Sequence, residues 1–454
     1  MSSVSAGLDR LSPAKTALLP PGPRLPVLLQ TLLVLRYRQR LFPLWRNKYG
    51  RMFTVTLAPG ARRTVVVADP AIVREVFAGN STVFHPGWGN EVLRPVMGDR
   101  SVLVLNEEEH LATRRRLLPA LHGSALSGYV DVIRELTANE IRHWPAGQPL
   151  ALQSRMNALS LDVILRVVFG VDTGARLDEL RALLSQVLAV DGVTLLCGSY
   201  DKLRKLGRWR KFEAVLKAAD AVLYAEIADR RAEHDLAGRH DVLSRMLNED
   251  PEVTDLDVRD QLMTLLLAGY DTTGTAIAWA LYEMARRPAV LAVAQAAADE
   301  GDLAYLTAAF KESVRLRPVF YEVARTLTAP VELGGWQLPA GTSVMPAIGV
   351  VHSDPSIHDA PEEFRPERFL ANPPSSGEWI PFGGGVRRCL GAGFAQAEAI
   401  VIMQEVLRSY DLRPASSRRE RYRSQNVTFS PARGAQVVLS PRGMRSKAGE
   451  TWRN

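Results

Sequence analysis

The stretch Phe382-Gly383-Gly384-Gly385-Val386-Arg387-Arg388-Cys389-Leu390-Gly391 gathers residue types that can do chemistry at the entrance to a helix. Three consecutive glycines carry no Cβ, so backbone there can pass very close to a flat or bulky object. Cys389 then stands at the start of the apolar-periodic run GAGFAQAEAIVIMQEVLRSY, where free amides and the helix dipole favour a thiolate. Arg387 and Arg388 add positive charge. A lone cysteine is more often inert core. Taken with the glycines, the arginines and the helix start, it points instead to a thiolate ligand for a metal in a large planar cofactor with anionic groups.

A second cluster interrupts an apolar helix. The run TDLDVRDQLMTLLLAGYDTTGTAIAWALYEMARRP, Thr254 to Pro288, opens on an N-cap threonine with Asp255 and Asp257 in its first turn. It closes on Arg286 and Arg287 before Pro288. At about 1.5 Å per residue it spans roughly 50 Å, and a helix apolar on nearly every face crosses the centre of the protein. In its middle lies Ala268-Gly269-Tyr270-Asp271-Thr272-Thr273-Gly274. Each internal glycine costs about 1 kcal/mol relative to alanine, and Asp271 and Thr272 risk burial without partners. Two readings stand: a kinked helix whose threonine hydroxyls bond back to the preceding turn, or a local widening where a small ligand meets backbone, Asp271 and Thr272.

In YLTAAFKESVRLRP, Glu312 and Arg315 share one helix face three residues apart. Most such pairs are superficial and contribute little. Phe310, Val314 and Leu316 beside this one would allow burial, which would demand a further partner.

The elements that must position these residues are mostly helices. From Asp69 to about Pro288 apolar residues recur at three and four positions, punctuated by glycine and proline. Ahead of that, residues 1–19 read as a loose leader. Pro20-Pro21-Gly22-Pro23 reads as an extended arm, VLLQTLLVLR from Val27 as an amphipathic or partly buried helix, and Met52–Leu57 with Thr64–Ala68 as a hairpin about Pro59-Gly60. Beyond Pro330 the pattern turns to short strands around Gly334-Gly335 and Gly341. No stretch is linker-like, so one large, mainly α domain over residues 20–440 with small β-sheets is expected, followed by a solvated basic tail over 441–454.

Composition fits a globular protein: 46% hydrophobic and 23% charged over 454 residues. The 56 Lys and Arg against 49 Asp and Glu give a formal charge of +7. Without a concentrated basic stripe this surplus suits an acidic partner or an anionic ligand, not nucleic acid. Cys197 and Cys389 are far apart and form no Cys-x-x-Cys pair, which argues against a disulfide scaffold or zinc ribbon and for a reducing, cytoplasmic setting. Neither a signal peptide nor a membrane-spanning run is recognisable.

With these residues in hand, the chain resembles the cytochrome P450 family of haem-thiolate monooxygenases from Pro20 to about Ser440. FGGGVRRCLG matches the family's Phe-x-x-Gly-x-Arg-x-Cys-x-Gly loop without departure. The resemblance implies haem b with Cys389 as the axial ligand of its iron, Phe382 packed beside it, and Gly385 and Gly391 completing the loop. Arg387 would pair with a haem propionate. His110 and Arg114 in NEEEHLATRRRLL and Arg325 before VELGGWQLPAG are the further propionate contacts it implies, although a solvated basic face explains Arg114 equally well. Ala268 and Gly269 would leave room for dioxygen, with Asp271 and Thr272 relaying protons. Glu312, Arg315 and Arg368 match a triad that holds the fold behind the haem. The short segment from Pro288 to Leu306 departs from the family, and the minor helix often found before the Glu-x-x-Arg helix is expected to be missing.

The activity so implied is a monooxygenase that takes dioxygen, two electrons and two protons and hydroxylates or epoxidises a hydrophobic small molecule such as a fatty acid, terpenoid, steroid or aromatic. Nothing resembles a flavin or iron-sulfur module, so the electrons are expected from a ferredoxin and its reductase or an equivalent donor, delivered to a monomer. An acidic donor would dock near Arg387, Arg388 and the helix around Arg114. The pocket is expected from residues 84–104, 184–197, 319–323 and 427–429 with Leu265 and Ala268. A peroxide-driven peroxygenase on the same fold is the alternative, disfavoured by the intact Asp271-Thr272 pair. A non-catalytic haem sensor is a more distant one.

Overall fold

A computed structural model of the chain describes residues 19–442 except 87, 171–173, 189, 191, 199–203, 206 and 426–427. The expected leader and basic tail therefore lie, but for Leu19, Pro441 and Arg442, outside the described residues. Arg442 is not loosely solvated: its guanidinium meets the Asp299 carboxylate at 2.6 Å.

The proline arm runs extended against the first strand, where Thr54 donates from N to Pro21 O at 3.1 Å and from Oγ1 to Pro20 O at 2.7 Å. A Cβ on Gly22 would fall 1.8 Å from Thr54 O, so only glycine allows this approach. Helix α1 spans Val27–Tyr49, well beyond the ten residues the apolar run suggests. The expected hairpin is β1 (Met52–Leu57) and β2 (Arg62–Val67), antiparallel with Val55 opposite Thr64. Four consecutive buried residues, Thr64–Val67, mark β2 as interior to its sheet.

Asp69 caps α2 (Pro70–Ala78) by accepting from the amides of Ala71 and Ile72. Then follow β3 (Phe84–Pro86), α3 (Glu107–Leu117), α4 (Ser124–Ile141), β4 (Pro149–Ala151), α5 (Leu152–Phe169), α6 (Ala175–Leu188), α7 (Gly192–Gly198), α8 (Gly207–Ala232) and α9 (Val242–Glu249). Strands β3 and β4 break the helical stretch that periodicity alone suggests. Each is three residues long and exists because of a distant partner, β3 with Arg325–Leu327 and β4 with Gln436–Pro441.

Helix α10 (Asp255–Ala285) is the long apolar element, and Thr254 caps it as expected by accepting from Asp257 N at 3.1 Å. It is buried from Val258 to Leu267 and again from Thr273 to Ala285. Helix α5 crosses it at Gly274, where a Cβ would lie 2.8 Å from the Asn157 backbone. Helix α11 (Pro288–Glu300) fills the segment before α12 (Leu303–Leu316), with only Gly301 and Asp302 between them, so no minor helix intervenes.

The rest comprises β5 (Arg325–Leu327), β6 (Val331–Leu333), β7 (Trp336–Leu338), β8 (Ser343–Pro346), α13 (Ile348–His352), α14 (Ala392–Ser409), β9 (Tyr410–Pro414), β10 (Tyr422–Gln425), β11 (Thr428–Pro431) and β12 (Gln436–Pro441). A five-stranded sheet in the order β1-β2-β8-β5-β3, with β2 and β8 parallel, packs with α1 and α2 around one core cluster. The helices α4, α5, α10, α12 and α14 enclose the larger one. This is the mainly α architecture with small sheets that the sequence implies.

Candidate active site

The cysteine loop lies between α12 and α14 and is closed on itself, with Cys389 N donating to Phe382 O at 2.9 Å. The Phe382 ring meets Trp379 edge to face at 5.9 Å, and Trp379 Nε1 donates to Lys311 O of α12 at 3.2 Å. Gly383 and Gly385 both take φ of +65°. The glycines serve a different close approach from the expected one. A Cβ on Gly385 would sit 1.8 Å from Phe77 O, and one on Gly384 2.4 Å from the Phe77 ring, so these two seat the loop on the end of α2. At Gly391 a Cβ would meet nothing within 4 Å.

The helix begins at Ala392 with Gly391 as its cap, so Cys389 precedes the first turn. Burial pushes the Cys389 thiol up from its ordinary value, against the pull of the Gly391 amide, Arg114 and Arg388. In the protein by itself desolvation therefore outweighs the helix start that the sequence emphasises. The side chain is nonetheless accessible. A group crowded by protein yet open to small molecules forms a wall that a ligand can reach.

Around that wall stand four basic groups from three separate stretches of chain: His110 and Arg114 on α3, Arg325 at the start of β5, and Arg387 in the loop. Burial, then Arg387, Arg114 and Arg325 in turn, depress His110 to about 3. Burial lowers Arg325 to about 10, and burial with Arg325 and Arg114 lowers Arg387 to about 10. Arg325 bonds only to a backbone carbonyl, Ala324 O at 2.8 Å, and stacks over the Phe77 ring at 5.9 Å. Arg387 Nη2 donates to Leu105 O and Asn106 Oδ1, but its Nη1 is buried without a partner. His110 is thereby neutral at ordinary pH, and the three guanidiniums stand together with no carboxylate paired to them among the described residues, which is an unmet demand for anionic groups.

The second candidate cluster is an accessible gap in α10. Ala268 is exposed and Gly269 to Thr272 are half-buried, in a helix otherwise closed on both sides. Thr272 Oγ1 donates back to Ala268 O at 2.7 Å, as one of the two sequence readings has it, and the accessibility of the same turn meets the other. Asp271 receives Asn157 Nδ2 at 2.9 Å and Thr428 Oγ1 at 3.3 Å. Burial raises its carboxyl above the usual range despite those two bonds. Asn157 was not identifiable beforehand, since an asparagine within an amphipathic helix carries no local signal; Thr428 lies in the expected pocket stretch 427–429, but nothing local pairs it with Asp271.

Glu312 and Arg315 are fully buried and bidentate, at 2.7 and 2.9 Å. Arg315 also donates to His352 O and Pro361 O at 2.9 Å and to Glu363 O at 3.0 Å. Arg368 approaches Glu312 at 3.5 Å, and Arg365 N donates to it at 2.9 Å. The three residues named from the sequence thus form one group that pins the loop before the cysteine segment to α12. Cys197 is buried in the helical core, and of the expected pocket residues 87, 189, 191 and 427 lie outside the described residues.

Among the described residues no three His, Cys, Asp or Glu side chains cluster to hold a metal ion. A metal at Cys389 must bring most of its ligands with it, and the unpaired cations require that this carrier be anionic. A haem with two propionates meets both conditions. The family model for cytochrome P450 matches residues 20–438.

The chain belongs to the cytochrome P450 family.

It is similar, at 42% identity over 438 residues, to a protein of Mycobacterium tuberculosis provisionally named cytochrome P450 135A1, covering 95% of this chain and 98% of the relative. It is 41% identical over 429 residues to the provisionally named cytochrome P450 135B1 of Mycobacterium bovis, covering 92% and 91%. With cytochrome P450 138 of Mycobacterium bovis, again a provisional name, it shares 35% over 436 residues, covering 93% and 97%. Membership makes the chain a haem-thiolate oxidoreductase of the monooxygenase type. Among the described residues no helix is long and apolar enough to cross a membrane.

Proposed function

We propose that the protein is a monooxygenase of hydrophobic small molecules in which Cys389 is the thiolate ligand of haem b. The observation that carries this reading is the accessible thiol in a crowded wall, ringed by His110, Arg114, Arg325 and Arg387 without a carboxylate. When bound, the haem supplies the redox chemistry that activates dioxygen. Arg325 and Arg387, with His110 and Arg114, hold its propionates, and Phe382 with Trp379 shields the cysteine side. Metal binding displaces the thiol proton, so the raised value seen in the protein alone is no obstacle.

On the opposite side Ala268 and Gly269 leave space for a small molecule. Asp271, fixed by Asn157 and Thr428, holds a proton more readily than an ordinary carboxylate, and Thr272 offers a hydroxyl one residue away to pass it on. The expected pocket stretches carry apolar residues such as Leu265 and Val319, which favours lipophilic substrates. Electrons come from a separate ferredoxin-type donor. Arg388 and Arg115 are exposed for such docking, whereas Arg387 is half-buried and committed to the site and Arg116 is paired with Asp250 at 3.2 Å.

The test is spectroscopic. The ferrous-CO form of the wild type is expected to show the red-shifted Soret band of a thiolate-ligated haem, and Cys389→Ser to lose it while still folding. A wild-type protein without that band, or a serine variant that keeps it, refutes the assignment of Cys389.

A further inference from the structure

Helix α1 is amphipathic the wrong way round for a helix on a soluble surface. Its inward stripe is Gln30, Val34, Arg38 and Phe42. Gln30 Nε2 donates to Leu25 O at 2.8 Å and its Oε1 accepts from Thr56 N at 3.0 Å. Arg38 pairs with Glu322 at 3.0 Å. Thr31 Oγ1 accepts from Ala58 N at 2.8 Å, which brings the β1–β2 turn alongside. These bonds fix which face points out, and that face is leucine: Leu28, Leu32 and Leu35 are 71%, 65% and 60% exposed. Seven of the twelve large hydrophobic side chains exposed among the described residues fall between Leu25 and Leu44. Single exposed leucines need no explanation, but a contiguous set on one anchored helix marks an interaction site.

The charge around it says what the site meets. Residues 19–68 hold nine Lys or Arg and no Asp or Glu, more than the whole chain's surplus of +7. Arg38, Arg46 and Arg51 are consumed by Glu322 and Asp354. Arg24, Arg36, Arg40, Lys48 and Arg63 remain exposed beside the leucines and at the adjoining turn. At the helix's edge Arg24 and Lys48 line a surface hollow with Trp45 and Tyr49. Leucines projecting outward, a fringe of cations, and tryptophan and tyrosine at the boundary are the features of a helix lying in the plane of an anionic bilayer interface. An acidic protein would answer the cations but not the leucines. A second copy of this chain would answer the leucines but oppose cation to cation.

We infer that α1 and the β1–β2 turn dock this enzyme peripherally on an anionic lipid surface, with Leu28, Leu32 and Leu35 inserted among the acyl chains. Among the described residues no helix is long and apolar enough to cross a bilayer; attachment through α1 is expected to depend on salt and lipid charge. The inference is independent of the proposed chemistry at Cys389, since it uses only the outer face of α1.

Flotation of the full-length, haem-loaded protein with phosphatidylcholine vesicles, with and without phosphatidylglycerol, tests it. The wild type is expected to float with the anionic vesicles and to be released by salt. Leu28→Ser/Leu32→Ser/Leu35→Ser is expected to lower the bound fraction at least about tenfold, with its thermal melt unchanged because these side chains are exposed. Arg36→Glu/Arg40→Glu keeps the leucines and is expected to lose binding to anionic vesicles specifically. A wild type that stays unbound overturns the inference, as does a leucine triple variant that floats normally. So does a leucine variant whose only change is conversion of a dimer to a monomer in size-exclusion chromatography, which would assign the face to a second copy.

Discussion

Glu398 gives the sharpest test of the packing behind the cysteine loop. It lies on the second turn of α14, is 1% exposed, and bonds to one group, Ser160 Oγ of α5, at 2.5 Å. Burial raises its carboxyl from 4.5 to about 8, and the Ser160 bond only partly opposes this. In the unfolded chain the same group titrates near 4.5. Below that pH both states hold the proton and the group adds no pH dependence. Between about 4.5 and 8 the folded state keeps a proton that the unfolded state releases, so stability falls as pH rises, by roughly 1.4 kcal/mol per unit, and levels off above the folded value. The loss across this window is on the order of 5 kcal/mol, comparable to the whole net stability of many domains. Glu398→Gln keeps the shape and an acceptor for Ser160 while removing the titration. The variant is therefore expected to match the wild type near pH 4.5 and to exceed it increasingly up to about pH 8. Urea unfolding of both proteins over this range measures the difference, and subtracting one curve from the other removes every other titrating group. A difference that does not vary with pH, or a glutamine variant less stable at high pH, refutes the burial argument.

Three further outcomes follow from the site's geometry. Glu312→Gln leaves the Arg315 guanidinium buried with its charge uncompensated and is expected to cost about 3–5 kcal/mol in urea unfolding, while a variant at exposed Arg115 changes stability by less than about 0.5 kcal/mol. Gly385→Ala adds a Cβ 1.8 Å from Phe77 O at a φ of +65° and should cost well over 1 kcal/mol; Gly391→Ala, with nothing within 4 Å and a φ of −88°, should leave thermal stability nearly unchanged. If Arg387 holds a propionate as proposed, Arg387→Leu removes one charge-assisted bond worth about 1.5–3 kcal/mol, so haem should pass to an apo-globin acceptor roughly ten- to a hundredfold faster than from the wild type; an unchanged rate would remove Arg387 from the cofactor site.

What the sequence disclosed follows from how local each signal is. Helix α10 was legible because its N-cap, its acidic first turn, its apolar faces and its closing proline all lie within one stretch of chain. Glu312 and Arg315 were legible as a pair because helical spacing alone puts them on one face, but their complete burial depends on carbonyls supplied by His352, Pro361 and Glu363. Strands β3 and β4 were hidden because three residues carry no periodicity and each owes its existence to a strand far along the chain. The glycines before Cys389 were read as letting backbone pass close to a flat or bulky object, and two of them do seat the loop against protein. What they approach, the end of α2 at Phe77, lies some three hundred residues earlier in the sequence and no local pattern names it.

The cation cluster shows why the rest of the site was legible only through resemblance. His110, Arg114, Arg325 and Arg387 come from three stretches that share no spacing rule, and each by itself reads as a surface base. Folding brings them together at a cost: burial depresses all four, and repulsion within the set adds to it at His110 and Arg387. A stability criterion would place a glutamate among them; its absence reserves the compensating charge for a ligand. The same holds for the accessible gap between two buried stretches of α10, and for a thiol that burial pushes up while a helix entrance and two arginines pull it down. Each is a local violation that a self-sufficient fold would repair. One dianionic, metal-bearing plate between α10 and the cysteine loop would relieve all three at once. The fold is expected to gain stability on loading, by mass action on the state in which these demands are met.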